Sequence, residues 1–340
     1  MTLHGARPSV VAHRGASAYR PEQTRAAYEL AARQGADLLE LDVVVSRDHV
    51  LIARHENNLA STTDVATRPE FADRRTTKVV DGQRQEGWFT EDFTLAEIKT
   101  LRAVERLRDL RPESASYDGQ QEILTVEEVF VLREQLSAEV GRHVGLYPEI
   151  KHSAYFGRLG LPIEPRVALL LDRFGQDRPD GHVLLHAFEP SSLAALHAMG
   201  VTARSSLLMW QGGRPADAGR GDADYDWWSS PEGLAEVRRR GIQGVSPDLS
   251  MVISIGRNGA MGSDTGLVAA AHHQGLWVHP YTFRAENQFL FTDFRRGEDL
   301  GAHGDLAGMM QAFLDVGIDA INTDFPDVAV ALLGGVDAVE

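Results

Sequence analysis

The sequence contains no cysteine, which excludes disulfide bonds, thiolate nucleophiles and metal sites built on sulfur. It also lacks any apolar run of about 18 residues, so it predicts no transmembrane helix. Basic residues are fewer than acidic ones, 34 against 49, and the net charge of −15 opposes binding to nucleic acid and to anionic lipid surfaces. A small anionic substrate is compatible with this charge only if a cation and local basic groups offset it.

The first eight residues lack the apolar core of a signal peptide and lead directly into an apparent strand. As written, the chain is expected to be soluble and cytoplasmic, or periplasmic or secreted if a leader has been removed. We expect a small-molecule substrate, no nucleic acid partner and no stable membrane insertion. The sequence predicts no particular oligomeric state.

Short apolar runs alternate with helix-like segments along the 340 residues, a pattern typical of β/α units around a parallel sheet. The eight runs are 9–13, 37–45, 145–150, 182–187, 205–209, 241–245, 276–281 and 320–323. Eight such strands predict an α/β fold, a (β/α)8 TIM barrel. We expect residues 1–340 to form a single domain of this kind.

The helix-like segments are 22–34, 125–140, 164–174, 190–199, 232–240, 263–274 and 305–316. Each is followed by a glycine, the residue that most readily adopts the left-handed conformation at a helix end. These glycines are Gly35, Gly141, Gly175, Gly200, Gly241, Gly275 and Gly317. They predict where the helices stop.

The interval between the second and third strands is too long for one helix. Residues from 56 to about 121 are therefore expected to form an insertion over one mouth of the barrel. The insertion contains turn signals at Asp81-Gly82 and Asp118-Gly119 and a helix-like segment at 94–101. We interpret its basic run, 102–111, as a solvated helix face.

Carboxylates cluster near the ends of two predicted strands. Glu40 and Asp42 are two residues apart on the second strand and share a face, as do Glu149 and Lys151 at the end of the third. Converging carboxylates destabilise one another unless a cation lies among them. Without sulfur ligands, the group suits one hard divalent cation such as Ca²⁺ or Mg²⁺, and composition does not choose between the two.

Histidines supply candidate acid–base groups. His13 and Arg14 end the first strand, and His55 follows the second strand. Two imidazoles beside a cation and an arginine are suited to proton transfer around an anionic group. We interpret His186 and His279 as buried core histidines, with a substrate-pocket role as the alternative. The residues alone thus indicate a metal-dependent barrel enzyme with an anionic substrate.

Taken together, the motifs resemble the glycerophosphodiester phosphodiesterase family over most of the chain. They are His13-Arg14-Gly15, Pro21-Glu22-Gln23-Thr24, Glu40-Leu41-Asp42, His55, Glu149-Ile150-Lys151 and Thr323-Asp324-Phe325-Pro326-Asp327. Segments 62–66, 93–95 and 279–284 look most similar to the bacterial periplasmic, calcium-using branch. Gln23 departs from the asparagine usual in the family, at a position expected only to support the loop.

The resemblance implies hydrolysis of glycerophosphodiesters to glycerol 3-phosphate and an alcohol. Glu40, Asp42 and Glu149 would hold one divalent cation, Ca²⁺ rather than Mg²⁺, and His13 and His55 would exchange protons. The expected substrate contacts are Arg14, Lys151, Tyr281 and Phe325, and Glu22 would orient the histidine and arginine loop.

Two other interpretations use the same residues. A lysophospholipase D or a sphingomyelinase D-like enzyme would employ the same histidines and metal but would need an apolar entrance. Residues 57–121 show no sustained apolar face, which favours a water-soluble diester. The other interpretation is a non-catalytic barrel that binds an anionic ligand.

Overall fold

Eight parallel strands form a nearly closed barrel in the computed structural model, which describes residues 1–219 and 221–334. Numbered first to eighth in chain order, they are Ser9–Ala12, Leu38–Val45, Gly145–Ile150, Leu184–Ala187, Arg204–Met209, Gly244–Pro247, Trp277–Val278 and Ala320–Thr323. Strands one to seven pair in sequence order, and the first also pairs with the eighth. The predicted (β/α)8 barrel is confirmed.

A few hydrogen bonds complete the barrel between the seventh and eighth strands. The Asp319 backbone N–H donates to the carbonyl oxygen of Val278 (2.9 Å), and the Asp319 carboxylate accepts from the Val278 N–H (2.7 Å). Further along, the Phe283 N–H donates to the carbonyl oxygen of Asn322 (2.9 Å). The loop after the two-residue seventh strand therefore continues the barrel wall.

The strands are buried because the barrel interior covers one face and the surrounding helices the other. Every residue of the second strand is buried, including Glu40 and Asp42. Deeper in the barrel, the Tyr147 hydroxyl lies 2.6 Å from Ser206 Oγ and 3.0 Å from Ser246 Oγ. These polar groups satisfy one another away from water.

The longer helices are Arg25–Arg33, Val126–Val140, Glu164–Arg173, Pro190–Ala198, Pro231–Arg239, Leu267–His273, Leu306–Val316 and Pro326–Leu332. The shorter ones are Leu95–Ile98, Pro112–Ala115, Ser153–Arg158, Tyr225–Trp228 and Leu249–Val252. All seven glycines predicted to follow helices have positive φ, which confirms those helix ends. Within the described ranges, no helix combines the length and apolarity needed to cross a membrane.

Two helices begin three or more residues later than predicted, each for a local reason. The helix predicted from residue 22 begins at Arg25, because Gln23 has a φ of 60° and the Thr24 side chain caps the helix. The helix predicted from residue 263 begins at Leu267. There, strand Met261–Asp264 pairs antiparallel with Ile253–Ile255 instead of continuing as helix.

The segment after the second strand first returns along that strand and then leaves the barrel. Strand Leu51–Ala53 pairs antiparallel with the second strand. Strands Thr76–Val80 and Gln83–Gly87 form a hairpin, with Asp81-Gly82 at its turn. The insertion also contains 3₁₀ turns at Leu59–Ser61, Asp64–Thr67, Pro69–Arg74 and Thr90–Asp92. Later in the described chain, 3₁₀ turns occur at Arg257–Gly259, Asn287–Phe289 and Thr292–Phe294. Phe89 and Phe93 join the same apolar cluster as the barrel core, so the insertion packs against the barrel.

A close approach at Gly145, which begins the third strand, yields a stability prediction. A methyl group there would overlap Leu38 Cδ2 and lie 2.7 Å from the carbonyl oxygen of His182. We expect Gly145→Ala to lower the free energy of unfolding by about 1–3 kcal/mol, because the strand must shift.

Exposed Gly157, where an added methyl group would meet nothing within 4 Å, is the control position. Gly157→Ala should raise stability by up to about 1 kcal/mol. Urea unfolding measures both, and equal stabilities would contradict the close approach.

Candidate active site

Polar side chains from several strands converge at the carboxyl mouth of the barrel. His13 and Arg14 follow the first strand, Glu40 and Asp42 lie in the second, and Glu149 lies near the end of the third. None of these five residues is more than 8% exposed. Because parallel strands end at the same mouth, residues distant in sequence become neighbours there.

A compact group of metal-ligating atoms lies at the centre of this mouth. One ligand atom each from Glu40, Glu149 and His186 lies within 4.8 Å of the others. His186, which we expected in the core, is buried, and its Nε2 lies 3.8 Å from Glu40 Oε1. The fourth strand thus places an imidazole beside two of the predicted carboxylates.

Asp42, the third predicted metal ligand, is held from one side. Its Oδ2 accepts from Gln23 Nε2 and lies 3.3 Å from Arg14 Nε. Its Oδ1 is buried, lies 3.7 Å from Lys151 Nζ and has no hydrogen-bond partner in the described part of the chain. One oxygen of Asp42 is therefore free to accept a cation.

Two acids of this group ionise less readily than usual, mainly because they are buried. Burial and the nearby Asp42 raise the pKa of Glu40 well above its usual value. Burial also raises the pKa of Glu149 to about 7, although Lys151 Nζ lies 2.6 Å from Glu149 Oε1. Burial lowers the pKa of His186 to about 4, which leaves the neutral imidazole that metals bind. This donor set fits a divalent cation.

Arg14 joins the loop after the first strand to these acids. Its backbone N–H donates to Glu40 Oε2 (2.8 Å), and its Nη1 donates to Glu22 Oε2 (3.1 Å). Arg14 has a φ of 61°, a conformation that side chains other than glycine adopt at a cost. The contacts to Glu40 and Glu22 offset that cost and hold the guanidinium at the mouth.

Gln23 has a more direct role than supporting the loop. Its side chain is buried, and its Oε1 accepts from the Tyr28 hydroxyl (3.1 Å) and from the Asp42 backbone N–H (3.2 Å). Its Nε2 donates to the Asp42 carboxylate. The residue that departs from the family pattern therefore orients a candidate metal ligand.

Both candidate acid–base histidines are paired with a carboxylate. His13 Nδ1 lies 2.6 Å from Asp324 Oδ1, and His55 Nδ1 lies 2.6 Å from Glu56 Oε1. Each pairing leaves Nε2 as the ring nitrogen for proton exchange. Burial, reinforced by Arg14, lowers the pKa of His13 to about 4 and that of His55 to about 3. Both imidazoles are therefore neutral at pH 7.

The interpretation of residues 102–111 as a solvated helix face is wrong, because the segment forms turns and no helix, and two of its arginines pair with carboxylates at the mouth. Arg106 binds the carboxylates of Glu22 and Glu56, and the Arg111 side chain is only 5% exposed. The requirement that buried acids have cationic partners predicts that some arginines lie here, but no spacing in the sequence identifies which ones.

Two clefts open at the mouth and meet at Glu149 and Phe188. The first has a volume of about 580 Å³, and its walls include His13, Arg14, His55, Glu149, Tyr281 and Arg284. The second, of about 650 Å³, is lined in part by Lys151. Together the clefts can accommodate the two arms of an elongated ligand on either side of the carboxylate group.

Tyr281 and Phe325, the two aromatic residues expected to contact substrate, differ in position. Tyr281 lines the first cleft, and its hydroxyl donates to the carbonyl oxygen of Met209 (2.9 Å). Phe325 is 2% exposed, and its ring packs edge-on against Tyr19 and His303. The structure does not bring Phe325 to a cleft wall, because these neighbours cover its ring.

Fold and site together define a class of protein: barrel enzymes in which two histidines, each bound to a carboxylate, lie beside a cluster of buried acids. The profile of the glycerophosphoryl diester phosphodiesterase family matches residues 13–328. The glycerophosphodiester phosphodiesterase GDPD6 of Arabidopsis thaliana is 32% identical, over 95% of this chain and 85% of its own. The chain therefore belongs to the glycerophosphoryl diester phosphodiesterase family and is a phosphoric diester hydrolase.

Solved structures share the fold at lower identity. The glycerophosphodiester phosphodiesterase of Agrobacterium tumefaciens is 22% identical with a TM-score of 0.59, over 95% of this chain and 99% of that one. An Oleispira antarctica phosphodiesterase, solved in complex with the product sn-glycerol-3-phosphate, is 18% identical with a TM-score of 0.63. That match covers 98% of this chain and 99% of the other.

The lowered histidine pKa values predict a distinct titration. We expect the rings of His13 and His55 to stay neutral at pH 5.5, because burial and Arg14 disfavour the imidazolium. Two-dimensional ¹H–¹⁵N NMR of the ring nitrogens follows each histidine, and His13→Gln and His55→Gln assign the signals. Protonation of either ring at pH 6 would contradict the electrostatics of the site.

Proposed function

We propose that this enzyme hydrolyses glycerophosphodiesters to glycerol 3-phosphate and an alcohol, with a divalent cation and two histidines. One observation carries the proposal. His13 and His55, each with a carboxylate at Nδ1, line the same cleft as Arg14 and Glu149. The product bound to the Oleispira antarctica phosphodiesterase is the product proposed here, which supports the assignment.

The phosphate of the substrate is proposed to bind where the two clefts meet. A diester has two substituents on phosphorus, and the junction at Glu149 and Phe188 offers a separate cleft to each. Arg14 lines the first cleft and Lys151 the second, so cationic groups flank the junction on both sides. Their charges would offset that of the phosphate in an otherwise acidic protein.

The two histidines divide the proton transfers. One neutral imidazole accepts a proton from the nucleophile at Nε2, and the other, protonated once the phosphate is bound, donates its Nε2 proton to the leaving alkoxide. Asp324 and Glu56 stabilise the imidazolium form of their partners, as a carboxylate at Nδ1 does. The bound phosphate brings negative charge near both rings and raises their pKa values from those of the free enzyme. The nucleophile is either water or the glycerol hydroxyl of the substrate, and a trapped cyclic phosphate would identify the latter.

Glu40, Asp42 and Glu149, with His186 beside them, are proposed to hold one divalent cation. When bound, the cation supplies positive charge to a phosphate oxygen and lowers the energy of the charged transition state. The oxygen-rich set favours Ca²⁺ or Mg²⁺, and we propose Ca²⁺. Coordination by His186 would instead favour a transition metal such as Mn²⁺.

A lipid-directed phosphodiesterase is the second candidate, and one observation favours it. The first cleft has an apolar wall outside the insertion, formed in part by Phe289, Phe291 and the 60% exposed Ile255. Such a wall could contact an acyl chain. The ratio of kcat/KM for lysophosphatidylcholine to that for glycerophosphocholine decides between the candidates, and a ratio far above one would establish the lipid substrate.

Metal dependence is tested on chelator-stripped protein with glycerophosphocholine as substrate. We expect added Ca²⁺ to restore release of glycerol 3-phosphate and to raise the melting temperature, because a ligand at 100 times its Kd stabilises by about 2.7 kcal/mol. Mg²⁺ and Mn²⁺ are tested in parallel. Glu149→Gln should weaken both responses, and full activity in the stripped protein would contradict the proposed role of the cation.

Removal of either histidine is expected to abolish most turnover. His13→Ala and His55→Ala should each lower kcat by about 10²–10⁴-fold, the usual contribution of a positioned acid or base. His273→Ala is the matched control, because His273 is exposed on an outer helix. Near-normal turnover in either test variant, measured at saturating metal, would refute the assignment.

A further inference from the structure

Two arginines of the insertion contact the carboxylates that hold the candidate catalytic histidines. Arg106 and Arg111 lie five residues apart, between the second and third barrel strands. Neither is close in sequence to most of its partners. Arg106 lies 84 residues from Glu22, and Arg111 lies 213 residues from Asp324.

The contacts of Arg106 involve both edges of its guanidinium. Nη1 and Nη2 lie 2.6 and 2.7 Å from the two oxygens of Glu56, and Nε and Nη2 lie 2.8 and 2.9 Å from the two oxygens of Glu22. Glu56 Oε1 is also the partner of His55 Nδ1. Paired contacts of this kind fix the orientation of a carboxylate as well as its distance.

Arg111 also contacts two carboxylates, each through a single nitrogen. Its Nη2 lies 2.7 Å from Asp324 Oδ2, its Nε lies 2.6 Å from Glu286 Oε1, and its Nη1 donates to the carbonyl oxygen of Ser17 (3.0 Å). The other oxygen of Asp324 is the partner of His13 Nδ1. Arg284 Nε also lies 2.9 Å from Asp324 Oδ2.

The same sequence of contacts therefore occurs twice: arginine, carboxylate, histidine Nδ1. A carboxylate in a fixed position determines which ring nitrogen carries the proton and how the ring is turned. Arg108, the arginine that lies between these two in the sequence, contacts neither of the carboxylates that pair with the histidines. Its side chain is 60% exposed and pairs with Asp118, which also belongs to the insertion.

We propose that Arg106 and Arg111 are positioning residues, through which the insertion sets the ring orientation of both His55 and His13. The inference rests on the proposed catalytic roles of the two histidines. It assigns the insertion a part in catalysis.

The test compares Arg106→Met and Arg111→Met with Arg108→Met, all as full-length protein saturated with metal. We expect each of the first two to lower kcat for glycerophosphocholine by about 10–100-fold, the range seen when a supporting hydrogen-bond partner is lost. KM should change by less than about threefold. Arg108→Met should retain wild-type kcat. Arg106→Lys and Arg111→Lys should recover part of the loss, because lysine keeps the charge but cannot contact two carboxylates through separate nitrogens of a planar group.

A double-mutant cycle separates positioning from stability. If Arg106 acts through Glu56, then Glu56→Gln combined with Arg106→Met should have the same kcat as Glu56→Gln alone. Asp324→Asn with Arg111→Met provides the corresponding cycle for His13. Additive losses in kcat would overturn the inference, as would variants that melt at lower temperature but turn over normally while folded.

A spectroscopic measurement tests the inference without reference to activity. NMR signals of the Nδ1 protons of His13 and His55 should be present in the wild type. Arg106→Met should shift or broaden the His55 signal alone, and Arg111→Met the His13 signal alone. Unchanged signals would overturn the positioning role. If the wild type hydrolyses no glycerophosphodiester but the signals respond as expected, the proposed function fails while the positioning contacts stand.

Discussion

Burial of several carboxylates at one mouth of the barrel is the constraint on which the structure of the site depends. An ionised carboxylate out of water is stable only beside a cation or several hydrogen-bond donors. Burial alone would raise the pKa values of Glu22 and Asp324, but adjacent arginines hold both well below their usual range. Burial raises the pKa values of Glu40 and Glu149 instead, and the cationic side chains near them do not reverse that effect.

The cations that balance these acids come from widely separated segments. Arg14 follows the first strand, Arg106 and Arg111 come from the insertion, and Arg284 follows the seventh strand. The insertion is therefore part of the charge balance of the mouth and not an appended lid. Arg14 and Lys151, which line the two clefts, supply local positive charge in a protein whose net charge is −15.

Much of the fold was predictable because its signals are local. Strands buried on both faces appear as apolar runs, and glycines mark the helix ends. The two late helix starts, at Arg25 and Leu267, depended on a positive φ at Gln23 and on a hairpin at 253–264. The motif residues of the site were identifiable from their positions at strand ends, whereas Arg106 and Arg111 have no comparable pattern around them.

The sequence by itself determined the approximate positions of the strands, the stopping points of the helices and the shared face of Glu40 and Asp42, since these follow from backbone geometry over a few residues. The tertiary structure decided which side chains from distant parts of the chain contact one another. It brought His186 to Glu40, Arg111 to Asp324 and Phe325 under Tyr19. These pairings arise only when the barrel closes, because they join residues whose separation along the chain carries no information about their distance in space.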